Sequence, residues 1–205
     1  MRQLINHLAC PWRGVKWRML ALLGAGAVMA LHAHAAQDGC PLGGYSVVVA
    51  PDHSTISILF DQFKIDSNVT AQPTTQSMVC SISYPLSLPP GMSLGVYKVD
   101  YRGFAKLAPA QEASLAVQYG LAPHANQHGR VFRRKVKGAQ DGDYFFTENI
   151  GAGQMKRVGC GATSMLNVSI ELALSGAGEG MASLDTSDGK SAAMVYHLDL
   201  RKCTE

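Results

Sequence analysis

His197 and Asp199, two residues apart near the end of the chain, have the side-chain types of a catalytic base and its orienting acid. A hydrolase also needs a nucleophile, and Ser187 and Ser191 lie nearby in the sequence. Residues two apart on a β-strand, however, rarely pair as base and acid. The sequence therefore predicts no catalytic residue, and His197 and Asp199 are better explained as the polar face of a strand. A small extracellular hydrolase that uses His197 or His53 is the less favoured alternative.

Two further segments have a spacing similar to that of a metal site. His124 and His128 are four residues apart, which suits zinc only on a helix with a glutamate beside the first histidine. Pro123 and Gly129 flank them and favour a loop. The segment that begins at Asp185 is similar to the start of a calcium loop, but its twelfth position is a tyrosine where such a loop requires glutamate. We predict no metal site and no cofactor.

A basic run between positions 130 and 137 is a candidate ligand surface. Alternate residues of a strand point to the same side, so Arg133, Lys135 and Lys137 share a face with Val131. Such a face would attract an acidic glycan or a phosphate group. A solvated face of an edge strand explains the same charges without a ligand. The residues of the candidate surface are Arg130, Arg133, Lys135 and Lys137.

Aromatic residues offer a second candidate surface, a shelf on which sugar rings stack. The candidates are Tyr97 and Tyr101 with Tyr84, or the run Tyr144-Phe145-Phe146. Alternation from position 97 to 102 puts Tyr97 and Tyr101 on one face and the charged residues on the other, which is typical of core positions for the tyrosines. Carbohydrate binding remains an alternative function, since secreted β-sandwiches often have it.

The first 35 residues have the features of a signal peptide. A basic segment precedes the apolar run Met19–Leu31, and Ala33-His34-Ala35 has the form of a cleavage site. The apolar run is shorter than the roughly 20 residues of a membrane-spanning helix. We predict cleavage after Ala35 and a single mature domain, residues 36–205, without a membrane span. Its predicted location is extracellular, with the periplasm as the alternative.

Removal of this segment changes the charge of the protein. The segment holds four of the 18 Lys and Arg residues and none of the 15 Asp and Glu residues. The predicted mature chain therefore has 14 basic and 15 acidic residues, a net charge of −1, whereas the whole chain carries +3. Nucleic acid is thus not an expected partner. The expected partner is an extracellular protein or glycan, and the oligomeric state is left open.

Four cysteines remain after cleavage, and an even number in an exported chain predicts two disulfides. Four cysteines allow three pairings. We favour Cys40–Cys160 and Cys80–Cys203, because Cys40 and Cys160 each follow a glycine just before a core strand. The pairing of Cys40 with Cys203 stays open, since the first and last strands of a sandwich can also be neighbours.

Short runs of alternating apolar and polar residues predict a fold of about ten strands. The clearest run is Met78 to Leu86, and the chain closes with a turn at Asp188-Gly189 and a strand around Tyr196–Leu200. No run predicts a helix of about eight residues or more. The pattern favours an all-β fold, an antiparallel and jelly-roll-like β-sandwich with two disulfides.

Several short motifs, spread from Gly39 to Cys203, resemble a family of small secreted proteins known as domain of unknown function 4360. The resemblance implies a secreted, disulfide-bonded β domain, and it implies no activity. The matching pieces are Gly39-Cys40-Pro41, Phe60-Asp61-Gln62-Phe63, Val99-Asp100-Tyr101-Arg102-Gly103-Phe104, Cys160-Gly161, Ser187-Asp188-Gly189-Lys190, Tyr196-His197-Leu198 and Cys203.

The scattered positions of the titratable residues favour a non-enzymatic extracellular binding or surface-interaction domain. A carbohydrate-binding module is one alternative. A secreted inhibitor is another, and it would use a protruding loop, Ser67–Gln76 or Ala122–His128.

Overall fold

The residues that the structure, a computed structural model, describes form thirteen strands and one short 3₁₀ turn, and alternation of apolar and polar residues marks most of the longer strands. These residues are 37–68, 74–123, 129–161, 163–185 and 193–203. The strands are β1 Gln37–Asp38, β2 Tyr45–Val49, β3 Thr55–Phe60, β4 Lys64–Ser67, β5 Thr74–Leu86, β6 Met92–Leu107, β7 Glu112–Ala122, β8 Arg130–Lys137, β9 Gln140–Asn149, β10 Arg157–Gly159, β11 Ser164–Gly176, β12 Gly180–Ser183 and β13 Met194–Lys202, with the 3₁₀ turn at Ala152–Gln154.

The strands form two sheets, which confirms the predicted β-sandwich. One sheet has the order β1-β5-β11-β7-β8. The other has the order β2-β3-β13-β6-β12-β4, and β9 and β10 pair with the remaining edge of β6. Neighbouring strands are antiparallel except for β1 and β5, which are parallel. The long strand β6 therefore lies at the centre of the larger sheet.

Apolar residues at every second position fill the space between the sheets. Met78, Cys80 and Ile82 are buried on β5, as their alternation with serine predicts. Rings from opposite sheets meet in the core: the Tyr101 ring stacks on Phe132 with centroids 4.1 Å apart, and Tyr119 meets Tyr196 edge-on at 5.3 Å. These contacts connect β6 and β13 of the larger sheet with β8 and β7 of the smaller one.

A β-bulge in β6 interrupts the alternation of inward and outward side chains that the sequence predicts for this strand. His197 pairs with Lys98 but Leu198 pairs with Val96, so Tyr97 has no opposite residue on β13. The extra residue turns Tyr97 away from the core, and its side chain is 44% exposed. The prediction that Tyr97 shares the buried face of Tyr101 is therefore wrong.

The disulfides join Cys40 to Cys80 and Cys160 to Cys203, with Cα atoms 5.2 Å and 5.8 Å apart. The predicted pairing Cys40–Cys160 and Cys80–Cys203 is therefore wrong. Two features of the fold explain the observed pairing. The parallel pairing of β1 with β5 brings Cys40 beside Cys80. β10 and β13 run along opposite edges of β6 toward its first residues, so Cys160 and Cys203 converge there.

Three smaller expectations concern segments between strands. The predicted loop Ser67–Gln76 is shorter than expected, because Ser67 ends β4 and Thr74 begins β5. Residues 69–73 and the Asp188-Gly189 turn lie outside the described residues. The N-terminal 35 residues also lie outside them, so cleavage after Ala35 stays a prediction.

Candidate functional site

Asp100, on the outer side of β6, is the centre of a polar network that joins three strands. Its Oδ2 atom lies 2.8 Å from Nε2 of His197 and 3.0 Å from Nζ of Lys98, and its Oδ1 atom accepts a hydrogen bond of 2.7 Å from Oγ1 of Thr147. We call Lys98, Asp100, Thr147 and His197 the outer-face network.

Strand register brings these four residues together. Lys98 lies opposite His197 of β13, on one side of β6, and Asp100 lies opposite Thr147 of β9, on the other side. Residues directly opposite or diagonal on adjacent strands are within contact distance on one sheet face. The network therefore depends on all three strands keeping their register.

The carboxylate of Asp100 is held in its charged form. Its side chain is only 8% exposed, and this burial by itself raises the pKa. Hydrogen bonds from Thr147, Lys98 and His197 outweigh the burial, so the pKa of Asp100 lies below its ordinary value. The charged carboxylate in turn fixes the positions of the Lys98 ammonium and the His197 ring.

Two exposed aromatic rings lie near the outer-face network. Tyr97, on the bulge, has its ring centroid 6.0 Å from that of His197. Phe145 of β9 is 55% exposed, and the guanidinium carbon of Arg102 lies 5.5 Å from its ring centroid. We call the network together with Tyr97 and Phe145 the outer-face platform.

The platform differs from the aromatic shelves expected from the sequence. Tyr101 is fully buried in the core and Tyr84 is only partly exposed. Tyr144 is also buried, where its hydroxyl donates to the Ser183 carbonyl. Each predicted shelf therefore contributes a single exposed ring beside the network, Tyr97 from one and Phe145 from the other.

The outer-face network contains a histidine–aspartate pair, but with a different carboxylate from the one considered in the sequence. Asp199 pairs with Arg157 and Arg201, at 2.8 Å each. It is Asp100, and not Asp199, that accepts a hydrogen bond from His197. The carboxylate of Asp100 also accepts a hydrogen bond from the Thr147 hydroxyl. Among the described residues, no hydrogen bond between a hydroxyl or thiol and the His197 ring is found, so these contacts do not assemble a catalytic triad.

The chain also contains Gly91-Met92-Ser93-Leu94-Gly95, which matches the Gly-x-Ser-x-Gly pattern of a nucleophile elbow. That motif requires a sharp turn between a strand and a helix. Here Ser93 lies within β6 and is 7% exposed. Its Oγ atom accepts a hydrogen bond from Nε of Arg157 at 3.1 Å. The pattern is therefore part of a buried strand and does not present a nucleophile.

His53, the second histidine considered as a base, lies in the hairpin loop between β2 and β3. It borders a cavity of about 190 Å³ whose other lining residues include Tyr84, Leu88 and Leu198. No carboxylate lines this cavity among the described residues. The charge of the neighbouring Asp52 acts on His53, but no hydrogen bond between a carboxylate and the His53 ring is found among the described residues, and the Asp52 carboxylate accepts a hydrogen bond from the Ser54 backbone N–H.

The four residues of the basic candidate surface divide between two sides of β8. Arg133, Lys135 and Lys137 are exposed on the outer side, and Lys135 pairs with Glu112 at 2.7 Å. Arg130 points the other way and pairs with Glu148 at 2.7 Å. Ligand binding by this surface stays a prediction.

Glu148 is the centre of a second polar cluster, on the inner side of β9. Its carboxylate accepts two hydrogen bonds from Arg130, of 3.0 Å and 2.7 Å, and one each from the hydroxyls of Tyr101 and Tyr119. Burial and the neighbouring negative charge raise the pKa of both tyrosines above the ordinary value. The nearby Tyr196 hydroxyl is buried and has no hydrogen-bond partner among the described residues.

The segments considered for metals and inhibition mostly lie outside the described residues, including His124, His128 and residues 186–192. Within the described residues, no group of three or more His, Cys, Asp or Glu side chains is placed to hold a metal ion.

No helix in the described part of the chain has the length and hydrophobicity needed to cross a lipid bilayer.

The Asp100–His197 contact was missed in the sequence because pairing between distant strands cannot be read from local spacing. Two of the motifs that resemble the family contain the residues of this contact, however. Asp100 belongs to Val-Asp-Tyr-Arg-Gly and His197 belongs to Tyr-His-Leu. The outer-face network therefore joins two segments that the resemblance had already singled out.

Comparison with known proteins agrees with the location and the resemblance. A family model described as Domain of unknown function (DUF4360) matches residues 33–203. An "Uncharacterized secreted protein" of Arthroderma benhamiae is 24% identical over 168 residues, which cover 81% of this chain and 68% of the relative. No solved structure matches the chain. The protein is secreted, and because the family match spans most of its length, it belongs to the family described as Domain of unknown function (DUF4360).

Proposed function

We propose that this secreted protein is a non-enzymatic extracellular binding domain and that its outer-face platform binds carbohydrate. The observation that carries the proposal is the position of Tyr97 and Phe145, two exposed rings beside a set of fixed polar groups. Tyrosine presents an apolar ring and a polar hydroxyl to a ligand. The combination of ring faces and hydrogen-bonding groups suits a sugar, which has both C–H faces and hydroxyls.

The polar groups of the platform suit hydroxyl-rich ligands. Lys98 is 31% exposed and His197 21% exposed, so both side chains reach solvent while Asp100 holds them in place. Lysine donates hydrogen bonds, and a neutral histidine ring donates through one nitrogen and accepts through the other. Because Asp100 compensates the charge of Lys98, we expect a neutral or weakly acidic glycan.

The separation of the rings favours an oligosaccharide over a single sugar. Phe145 lies opposite Arg102, and Tyr97 lies five residues before Arg102 along β6. At about 3.3 Å per residue, five residues span roughly 16 Å. A ligand that stacks on both rings must therefore extend along the strand, which a chain of sugar units does.

Retention on polysaccharides tests the proposal. We expect the exported protein to bind at least one insoluble polysaccharide or arrayed oligosaccharide, and Tyr97→Ala with Phe145→Ala to remove most of the retention. Val131→Ala is the matched control, because Val131 is 47% exposed but lies on β8 of the other sheet. Equal retention of the double variant and the native protein would contradict the proposal.

A further inference from the structure

A cavity of about 250 Å³ lies beside the Glu148 cluster and is distinct from the outer-face platform. Val96, Leu121 and Ile150 provide an apolar part of its lining. Arg130, Gln154 and Lys156 provide polar and cationic groups. A concave site with apolar walls and a few polar groups is the usual form of a small-molecule site.

The cationic side of the cavity is held in position by contacts that the core provides. Nε and Nη2 of Arg130 both donate to Glu148, and Nη1 lies 3.4 Å from Oε1 of Gln154. Both hydrogen bonds go to Oε1 of Glu148, and such charge-assisted contacts restrict the orientation of the guanidinium group. The Arg130 side chain therefore borders the cavity in a defined orientation before any ligand arrives.

Lys156 contributes the charge that the protein itself does not compensate. Glu148 balances Arg130, whereas Lys156 has no ion pair among the described residues. The side chain is exposed and lines the cavity, where its Nζ atom lies close to Gly129. One uncompensated ammonium group beside an apolar wall selects a ligand with one negative charge and an apolar body.

We propose that this cavity binds a small amphipathic carboxylate, whose charged end meets Lys156 and whose hydrocarbon part lies against Val96, Leu121 and Ile150. The volume of the cavity limits the size of the ligand. Since one water occupies about 30 Å³ in the liquid, the cavity suits a molecule with on the order of ten non-hydrogen atoms. An aromatic or short aliphatic monocarboxylate has this size and this distribution of charge.

Isothermal titration of the exported protein with benzoate tests the inference, with benzyl alcohol as the neutral probe of similar shape. We expect saturable binding of benzoate and binding of the alcohol that is weaker by about tenfold or more. Lys156→Met keeps an unbranched side chain that is one atom shorter and removes the charge, so we expect it to weaken benzoate binding by a similar factor. Lys106→Met, at an exposed lysine on β6, should bind benzoate like the native protein.

Three results would overturn the inference: no saturable binding of benzoate or hexanoate up to about 10 mM, equal binding of acid and alcohol, or unchanged binding by Lys156→Met. The result is separable from the carbohydrate proposal, because Tyr97→Ala with Phe145→Ala leaves the residues that line the cavity in place. Loss of glycan retention with intact benzoate binding would show two independent sites.

Discussion

At the scale of single residues, Asp100 decides how the larger sheet presents polar groups. A carboxylate that is 8% exposed is costly to bury unless donors surround it. Thr147, Lys98 and His197 supply those donors. The same contacts that stabilise the charge also hold Lys98 and His197 at the surface, which links the stability of this region to its proposed ligand surface.

Asp100→Asn should make the Tm of the protein depend less strongly on pH in the acidic range. The pKa of Asp100 is lowered in the folded protein, so its contribution is present above the unfolded value of about 3.9 and is lost as the pH falls below it. We expect the native protein to have the higher Tm at pH 6, and the difference from Asp100→Asn to narrow toward pH 2. Thermal unfolding followed by circular dichroism across this range measures it.

Asp66→Asn is the control for this series, because Asp66 is 53% exposed in its ion pair with Lys64 and such surface pairs contribute little. A constant difference in Tm between the native protein and Asp100→Asn from pH 6 to pH 2 would contradict the role assigned to the carboxylate. Asp199, whose pKa is also lowered, should leave some acid sensitivity in the variant.

The sequence identified His197 as a residue of interest but considered only Asp199 as its carboxylate partner and argued against that pair. Spacing along one strand makes Asp199 the obvious neighbour, while the contact with Asp100 depends on how β13 and β6 align. Alignment between strands nearly 100 residues apart is set by packing of the whole sheet, which local alternation does not encode. The exposure of Tyr97 escaped prediction for a similar reason, since it requires the bulge.

At the scale of elements, β6 depends on a glycine within the Val-Asp-Tyr-Arg-Gly motif. A Cβ atom on Gly103 would overlap the hydroxyl of Tyr144 and the carbonyl oxygen of Ser183, which are themselves hydrogen-bonded. We expect Gly103→Ala to lower the free energy of unfolding by about 1–3 kcal/mol, as overpacking of a core does. Urea unfolding of the exported protein measures this change.

Gly151→Ala is the matched control for the glycine variant. A Cβ atom there would meet nothing within 4 Å, and its φ of −61° suits alanine. If Gly103→Ala were as stable as Gly151→Ala, the close approach of β9 and β12 to Gly103 would be in doubt.

The disulfides are also features of elements, since each joins segments that a strand pairing has already brought together. Cys160 and Cys203 are separated by 43 residues, and closing a loop of that length contributes about 4 kcal/mol in the chain-entropy model. We expect Cys160→Ser with Cys203→Ser to lower the free energy of unfolding by up to this amount. Chemical unfolding of the variant and the native protein gives the difference.

Peptide mapping without reduction tests the connectivity itself. We expect linked peptides for Cys40 with Cys80 and for Cys160 with Cys203. A linked peptide that contains Cys40 and Cys160 would contradict the fold near the start of β6. The sequence predicted that all four cysteines are bonded, but it could not give their pairing, because that follows from the parallel β1–β5 contact and from the two neighbours of β6.

At the scale of the whole molecule, the sandwich keeps its apolar residues between the two sheets and its candidate binding residues on the outer side of the larger sheet. Alternation of apolar and polar residues was sufficient to predict the fold class and most of the longer strands. Many short runs in which every second residue is apolar are compatible with few architectures other than a β-sandwich or a β-barrel. The short strands β1, β10 and β12 have too few residues for such a pattern. The candidate site required the assembled sheet, because its residues come from β6, β9 and β13.

The most direct test of the proposed carbohydrate site is an NMR titration of the exported protein with the oligosaccharide that retains it best. We predict that chemical-shift changes concentrate on Tyr97, Lys98, Phe145 and His197, on the outer side of the larger sheet. Changes concentrated on Arg133, Lys135 and Lys137 of β8, with the platform resonances unmoved, would contradict the account and identify the basic surface as the site.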